Sequence, residues 1–328
     1  MVDEEVKMKA LYDQLLEHDN AHLARMREDA QRAGQGIKTG ITLHSRAADG
    51  STSEMDLWVP KYAITMFCAR TGGGKTTWAA NLAVRMVQNG AQGMFITLEE
   101  PGYAIRSKLM ACYSRIKSPN ASMAALTSWE ALKVIAGKEQ YADEVQFNKE
   151  VMRNIRIVDA NTAVDLEHVE SPTLMYQPQF IADLIKYRNA KADKPLDFVM
   201  IDFGQLMESA EADNSSSYMR MKSVMQALKN LSGALGIAVI VGAQLQRSCA
   251  AISIWDWEPE MIRDGSDMEQ AASLVIAIGQ DKEYPDAEWN MATRFLKNRN
   301  GPKRVAGMFN IEFDKCYIPN RGRVPNDA

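Results

Sequence analysis

The sequence predicts an α/β protein with a mostly parallel, twisted and doubly wound sheet flanked by helices, and three observations carry that expectation. Short apolar runs alternate with segments of helical periodicity along most of the chain. One such run, residues 62–68, passes through three consecutive glycines straight into a helical pattern, the strand–loop–helix context of a phosphate-binding loop. The totals are those of an ordinary globular protein: 328 residues, 46% hydrophobic and 24% charged, enough for one large core or two small ones.

Taken in order, residues 4–33 place Val6, Leu11, Leu15, Leu16, His22, Leu23 and Met26 at helical spacing among charged residues. This pattern predicts an amphipathic helix whose apolar stripe must be covered by its own core or by a neighbouring subunit. Residues 1–35 are therefore expected to be a subunit-docking helix and residues 36–328 the α/β domain. Residues 33–56, rich in Gly, Ser, Thr and Asp, read as linker and loop with one short strand at 41–43. After the glycine loop and its helix, Gly90 and Gly93 act as stop signals, and residues 94–101 form a second buried strand ending in Glu99 and Glu100. A helix at 103–117 follows, then 121–152 as helix with polar interruptions, and a third strand at 155–158. Residues 165–178, with two prolines, read as an inserted surface loop before a helix at 179–189. The fourth strand is 196–202, the next helix 216–234 and the fifth strand 236–243. Strands at 274–278, 293–297 and 308–313 close the series near one sheet edge, where hairpins are allowed. No internal repeat is visible.

Several functions are excluded by pattern. No apolar run approaches the length of a membrane span, and the first residues are acidic rather than the basic start of an export signal, so a cytoplasmic protein without membrane contact is expected. Cys68, Cys112, Cys249 and Cys316 are far apart, lack metal-ligand spacing and read as buried free thiols. His18 and His22, four apart on a helix, read as a solvated face. A net charge of −4 does not suit a freestanding nucleic-acid binder, so any DNA or RNA contact must be local, as in the channel of a ring.

The chemistry centres on Ala69, Arg70, Thr71, Gly72, Gly73, Gly74, Lys75, Thr76 and Thr77. Three glycines let the backbone curl so that successive N–H groups face the phosphates of a nucleoside triphosphate, and the helix N-terminus adds partial positive charge. Lys75 is expected on the β- and γ-phosphates and the Thr76 hydroxyl on Mg²⁺. Ala69 stands where the usual pattern has glycine, a tolerated variant while φ stays negative. Asp202 ends an apolar strand, the Walker B position of a second Mg²⁺-binding group. Glu99 is a candidate general base for the attacking water, with Glu100 its competitor; adjacent carboxylates are not separated by local sequence. Gln244, after the fifth strand, is placed to sense the γ-phosphate or simply to cap the strand. Lys297 and Arg299 occupy alternate positions of an extended segment and so share a face. They read either as an arginine-finger pair reaching a phosphate outside their own domain or as a solvated hairpin edge.

The order of these motifs resembles the C-terminal ATPase domain of DnaB-type replicative DNA helicases, a RecA-like P-loop NTPase fold. Ala69-Arg-x-x-x-Gly-Lys-Thr-Thr77 with Asn81-Leu-Ala83 looks like the family's first motif, in which alanine opens the loop. Thr97-Leu-Glu-x-Pro101 with Ser114-Arg-Ile116 is similar to the second and favours Glu99 as the catalytic glutamate. Ile201-Asp-Phe-x-Gln-Leu-Met207 resembles the Walker B segment, Gln244-Leu-Gln-Arg-Ser248 the sensor, and Lys297-x-Arg-Asn-Gly-Pro302 the trans-acting finger. Gly265-Ser-x-x-Glu-Gln-x-Ala272 is similar to the segment between the last two. The resemblance spans roughly residues 36–315. It implies an ATP-dependent DNA helicase: a hexameric ring with ATP and Mg²⁺ at subunit interfaces, translocating on single-stranded DNA at a duplex fork during replication. Primase, loader or single-strand-binding protein are the implied partners.

Two departures qualify that expectation. The loops implied to touch DNA are about 207–217 and 247–264; the first is acidic and has no Lys or Arg. The second offers Arg247 and Arg263 beside Trp255 and Trp257, which either stack bases or pack against a neighbour. No counterpart of the helical collar domain of bacterial helicases is expected, in keeping with a compact phage- or plasmid-like form. A RecA-like recombination ATPase and a non-translocating regulatory or loader ATPase are the alternatives.

Overall fold

Runs of apolar residues buried on both faces are what a parallel sheet requires, and five of them supply its centre. The computed structural model describes Lys9 and residues 36–47, 49–120, 125–159, 176–208, 217–263, 266–280 and 290–324. The expected helix at 4–33 apart from Lys9, most of the inserted loop at 165–178 and most of the acidic loop at 207–217 lie outside these residues.

The strands are β1 (Ile37–Arg46), β2 (Thr52–Val59), β3 (Ile64–Ala69), β4 (Gly93–Thr97), β5 (Ile155–Val158), β6 (Phe198–Asp202), β7 (Ala238–Gln244), β8 (Leu274–Gly279), β9 (Met291–Asn298) and β10 (Val305–Phe309). They form one ten-stranded sheet in the order β2-β1-β10-β9-β8-β3-β7-β6-β4-β5. The stretch from β8 to β5 is parallel, and β9, β10, β1 and β2 extend it as antiparallel strands. This is the α/β, RecA-like architecture expected.

Period-two alternation sends the side chains of each central strand to two cores. Phe67, Ala69, Phe95, Phe198, Met200 and Ile276 pack beneath α1 (Lys75–Gln88) and α2 (Gly102–Lys117). Met66, Cys68, Ile96, Ile201, Val241 and Val275 pack on the opposite face, beneath α5 (Pro178–Lys191) and α6 (Ser217–Leu235). Between α2 and β5 lie α3 (Ser128–Ile135), started by a Thr127/Glu130 capping box, and the short α4 (Glu144–Phe147).

Three expectations about elements are corrected. The expected second buried strand, β4, ends at Thr97, so Glu99 and Glu100 follow it in a bend and do not close it. Residues 33–56 are not mainly linker: β1 and β2 form an antiparallel hairpin, with a register shift between Lys38 and Thr42. The inward face of β1 is Ile37, Thr39, Ile41 and Leu43, all buried, and the Thr39 hydroxyl donates to Leu57 O at 2.7 Å. A buried threonine so satisfied behaves as an apolar residue. The last strand is 305–309 rather than 308–313, because the chain then hooks across α1. There the Asn81 amide donates to Cys316 O at 2.5 Å and accepts from Ile318 N–H at 2.9 Å, Arg85 donates to Ile318 O at 2.6 Å, and Arg115 pairs with Glu312 at 2.8 Å.

The four cysteines are buried free thiols, as expected, and burial pushes Cys68 and Cys112 up to about 12. Among the described residues no helix is long and apolar enough to cross a membrane.

Gly93 has the least room of the described glycines: a Cβ there would lie 2.1 Å from the Phe198 ring, on the neighbouring strand. Gly93→Ala is expected to cost about 3 kcal/mol through overpacking, measured by urea denaturation, and Phe198→Leu in the same chain to recover part of the loss.

Candidate nucleotide-binding site

Open parallel sheets present ligand sites beyond the carboxyl ends of their strands. Here β3, β4, β6 and β7 end together, and β7 lies between β3 and β6, so Gln244 sits between the glycine loop and Asp202. The three glycines are needed for different reasons. Gly72 and Gly74 have φ of +73° and +83°, whereas a Cβ on Gly73 would sit 2.9 Å from Arg70 O. Gly73 N–H donates to Arg70 O at 2.9 Å, and Trp78 N–H to Gly74 O at 2.8 Å as α1 begins. Ala69 is the last residue of β3, fully buried and paired with Gln244 and Ile278, so its methyl belongs to the core and not to the turn. Arg70 and Thr71 are exposed, and Thr77 is buried.

Lys75 and Thr76 open α1. The Thr76 hydroxyl donates to Asp202 Oδ2 at 2.8 Å, and Asp202 is 3% exposed with Oδ1 buried and unpartnered. Gly242 on β7 makes room, since a Cβ there would lie 3.1 Å from Oδ1. Burial holds the Asp202 carboxyl above its ordinary value, opposed by Thr76 and Lys75. Burial holds the Lys75 ammonium below its ordinary value, opposed by Asp202 and then Glu99; the ammonium also lies 5.6 Å from the Phe203 ring centre. The Asp202–Phe203 peptide is cis. A buried carboxylate oxygen without a donor, beside a hydroxyl, is the donor set a hard divalent cation accepts, with phosphate and water completing its shell.

The two adjacent glutamates differ. Glu100 pairs with Lys108 at 2.5 Å, and its backbone is pinned by Thr97, whose hydroxyl donates to Glu100 O at 2.6 Å. Glu99 is exposed, makes no hydrogen bond or ion pair with the described residues, and lies within electrostatic reach of Lys75 and Asp202. The Gln244 side-chain amide donates to the Thr71 hydroxyl. Sequence reasoning assigned no role to Gln205. Its Oε1 accepts from Gln244 N–H at 3.2 Å, and its Nε2 donates to Gln244 O and Arg263 O at 3.3 Å each. Its sequence signal is its place in the Walker B-like motif, three residues after Asp202.

Lys297 and Arg299 do not join this cluster. Lys297, on β9, pairs with Val275 of β8, which pairs with Met66, so it lies three residues, about 10 Å, back along the sheet from Ala69 and two strands aside. Arg299 is further back, its N–H donating to Ser273 O at 2.9 Å. The loop after Gln244 is three short turns, Arg247–Ala251, Ile254–Asp256 and Pro259–Met261. Trp257 is 3% exposed, its ring against Gly279 and its Nε1 donating to Ile252 O at 3.3 Å. It therefore packs in this chain's own core, which removes both roles expected of it. Trp255 is half-buried, while Arg247 and Arg263 are exposed.

Comparison with known proteins bears on this arrangement. The family model described as DnaB-like helicase C terminal domain matches residues 54–318. The replicative DNA helicase DnaB of Geobacillus stearothermophilus is 24% identical over 87% of this chain and 59% of its own length. That of Haemophilus influenzae is 24% identical over 85% of this chain and 54% of its own. The chain thus spans little more than half the length of these curated relatives. Among solved structures, a DnaB-like replicative helicase described with its interactions with primase superposes with a TM-score of 0.61 at 19% identity, covering 80% of this chain and 58% of that one. The ATPase domain of G40P gives 0.59 at 20%, covering 79% and 84%. At these identities the structural likeness speaks for the fold.

Because the folded protein holds the Asp202 carboxyl above its ordinary value of 3.8, the ionised form costs stability at neutral pH. That cost fades as pH falls and is absent below the ordinary value, where the carboxyl is protonated in both states. Without nucleotide or metal, Asp202→Asn is expected to melt about 2 °C higher than the parent at pH 7, the gain shrinking toward pH 4. Calorimetry across that range checks it; a lower melting point at pH 7 would contradict the burial argument.

Proposed function

This chain belongs to the DnaB-like helicase C terminal domain family, and from that premise we propose that it is an ATP-dependent DNA helicase. On this reading it hydrolyses ATP at the subunit interfaces of a hexameric ring and translocates on single-stranded DNA during replication. The observation that carries the proposal is the pair Thr76–Asp202, with its buried unpartnered oxygen, beside Lys75 and an unpaired Glu99 at the mouth of a three-glycine cradle.

The glycine-loop N–H groups and the start of α1 hold the phosphates, and Lys75 reaches toward the β- and γ-phosphates. Thr76 and Asp202 are the groups that would hold Mg²⁺, which neutralises phosphate charge when bound. Glu99 orients a water and takes its proton at a carboxylate oxygen, a role for which Glu100 is less fitted because Lys108 occupies it. Gln244 senses the γ-phosphate, and its backbone bonds through Gln205 to Arg263 give that signal a path into the 247–263 loop. Lys297 and Arg299 lie away from their own cradle, which favours action on a neighbour's nucleotide over action on their own. Residues 1–35 serve as the subunit-docking helix and 36–328 as the motor domain. Primase, a loader or a single-strand-binding protein are the proposed partners, in the cytoplasm of a bacterial host.

One observation favours a second reading. Residues 207–217 are acidic and lack Lys and Arg, which suits a non-translocating regulatory or loader ATPase whose turnover ignores DNA.

The deciding experiment measures ATPase rate with and without single-stranded DNA, strand displacement, and mass by light scattering. Stimulation by DNA and displacement by a ring-sized assembly are expected; a DNA-insensitive rate with no displacement would leave only the second reading. Glu99→Gln should lower turnover by about 10²- to 10⁴-fold while nucleotide still binds. Arg299→Ala should lower it by about 10³-fold or more. Mixing the two variants should restore activity, because intact cradles then meet intact fingers. A mixture as inactive as its components would refute action in trans.

A further inference from the structure

Lys297 and Arg299 are both held at one end of a single helix. The Lys297 ammonium donates to Glu269 O at 2.7 Å and lies 3.7 Å from Glu269 Oε1. The Arg299 guanidinium donates to Gln270 O. These carbonyls belong to the last turn of α7 (Ser266–Ala271), where backbone oxygens lack intrahelical donors and carry partial negative charge. Lys297 and Glu269 are each only about one-fifth exposed, so solvent screens their pair less than a surface pair. Two neighbouring cations repel, and one carboxylate with the helix end offsets that repulsion.

The helix is also tied to the nucleotide cradle of its own chain. Met268 is fully buried, and a Cβ on Gly204, two residues after Asp202, would lie 3.4 Å from its terminal methyl. Ser273 N–H, just past the helix, donates to Ile64 O at 2.8 Å at the start of β3. The position that holds the cations is therefore part of the same packed body as Asp202.

We infer that Glu269 is a positioning residue for Lys297: it holds the ammonium on the end of α7 in a rest state that competes with a phosphate of a neighbouring subunit's nucleotide. This rests on the trans reading of Lys297 and Arg299. An ammonium bound to Glu269 must leave it to reach another subunit, so part of the binding energy of nucleotide in an interface site is spent on breaking that contact. Removing the carboxylate charge while keeping the side-chain shape lowers the cost of leaving. Nucleotide then binds the assembly more tightly, by about three- to fivefold for a pair of this exposure. General damage to the fold would weaken binding, so a gain in affinity separates positioning from a merely structural role.

The test is equilibrium binding of a fluorescent ATP analogue with Mg²⁺ to the full chain, at concentrations where light scattering shows the assembly. Glu269→Gln is expected to bind about three- to fivefold more tightly than the parent, and Glu269→Asp, which keeps the charge, within about twofold of it. The gain should vanish when Glu269→Gln is combined with Lys297→Met. Unchanged or weaker binding by Glu269→Gln, failure of that variant to assemble, or a gain that persists without Lys297 would each overturn the inference. If Lys297→Met alone binds and turns over nucleotide like the parent, the trans reading falls with it. If Lys297→Met is impaired and Glu269→Gln shows no gain, only the role of Glu269 falls.

Discussion

The contact between Thr76 and Asp202 is the constraint on which the rest of the structure depends. It joins the first turn of α1 to the end of β6 across 126 residues of chain, and it buries a carboxylate with one oxygen left without a donor. Such a group costs stability, so the rest of the fold must offset that cost and hold the group in place. The parallel ladder does so, since β7 separates β3 from β6 by a fixed two strand spacings. Three glycines in and beside the strands then have reasons that lie in the site. Gly242 leaves room for the carboxylate, Gly204 lets the chain pass Val241, and Gly93 admits the Phe198 ring so that β4 lies close to β6 and brings Glu99 to the same rim.

How much of this was legible in the sequence follows from how local each feature is. The cradle, Asp202 and Gln244 could be read because each is a polar interruption at the end of a buried apolar run, and the run fixes the direction in which the chain emerges. The β1–β2 hairpin could not, because its inner face relies on Thr39 and its outer face and turn are made of residues that also build loops. The difference between Glu99 and Glu100 depends on Lys108, two turns into a helix, and no spacing rule for adjacent carboxylates includes it. The burial of Trp257 is likewise not local: the glycine that receives its ring, Gly279, lies 22 residues further on at the end of β8.

The loop following Gln244 is better described as a rigid attachment than as a flexible arm. Leu245 bridges Ile262, Gln246 N–H donates to Met261 O at 2.9 Å, and Arg263 N–H returns to Gln244 O at 2.9 Å, so both ends of the loop are fastened to β7. Trp257 and Ile254 anchor its middle in the core. A displacement of Gln244 would therefore carry Arg263 with it, because Gln205 is bonded to both backbones. On the proposed reading, a change at the phosphate end would reach exposed Arg263 through hydrogen bonds, with no need for the loop to fold or unfold.

The antiparallel extension of the sheet has a consequence for assembly. Because β9 runs against β8, the chain that leaves the cradle side of the sheet at β8 comes back toward the opposite end, and Lys297 and Arg299 emerge there. One subunit thus carries a cradle at one end of its sheet and a pair of cations toward the other, and its own strands keep them apart. If those cations serve a nucleotide, the surfaces that meet are different patches of two copies, a heterologous contact that repeats from subunit to subunit. Each copy would then give to one neighbour and receive from the other. Since α7 joins the cation end to the turn after Asp202 through Met268, occupancy of one interface would bias the geometry of the next. Coupling between sites would in that case be a property of the fold's connectivity, arising from a single reversal of strand direction.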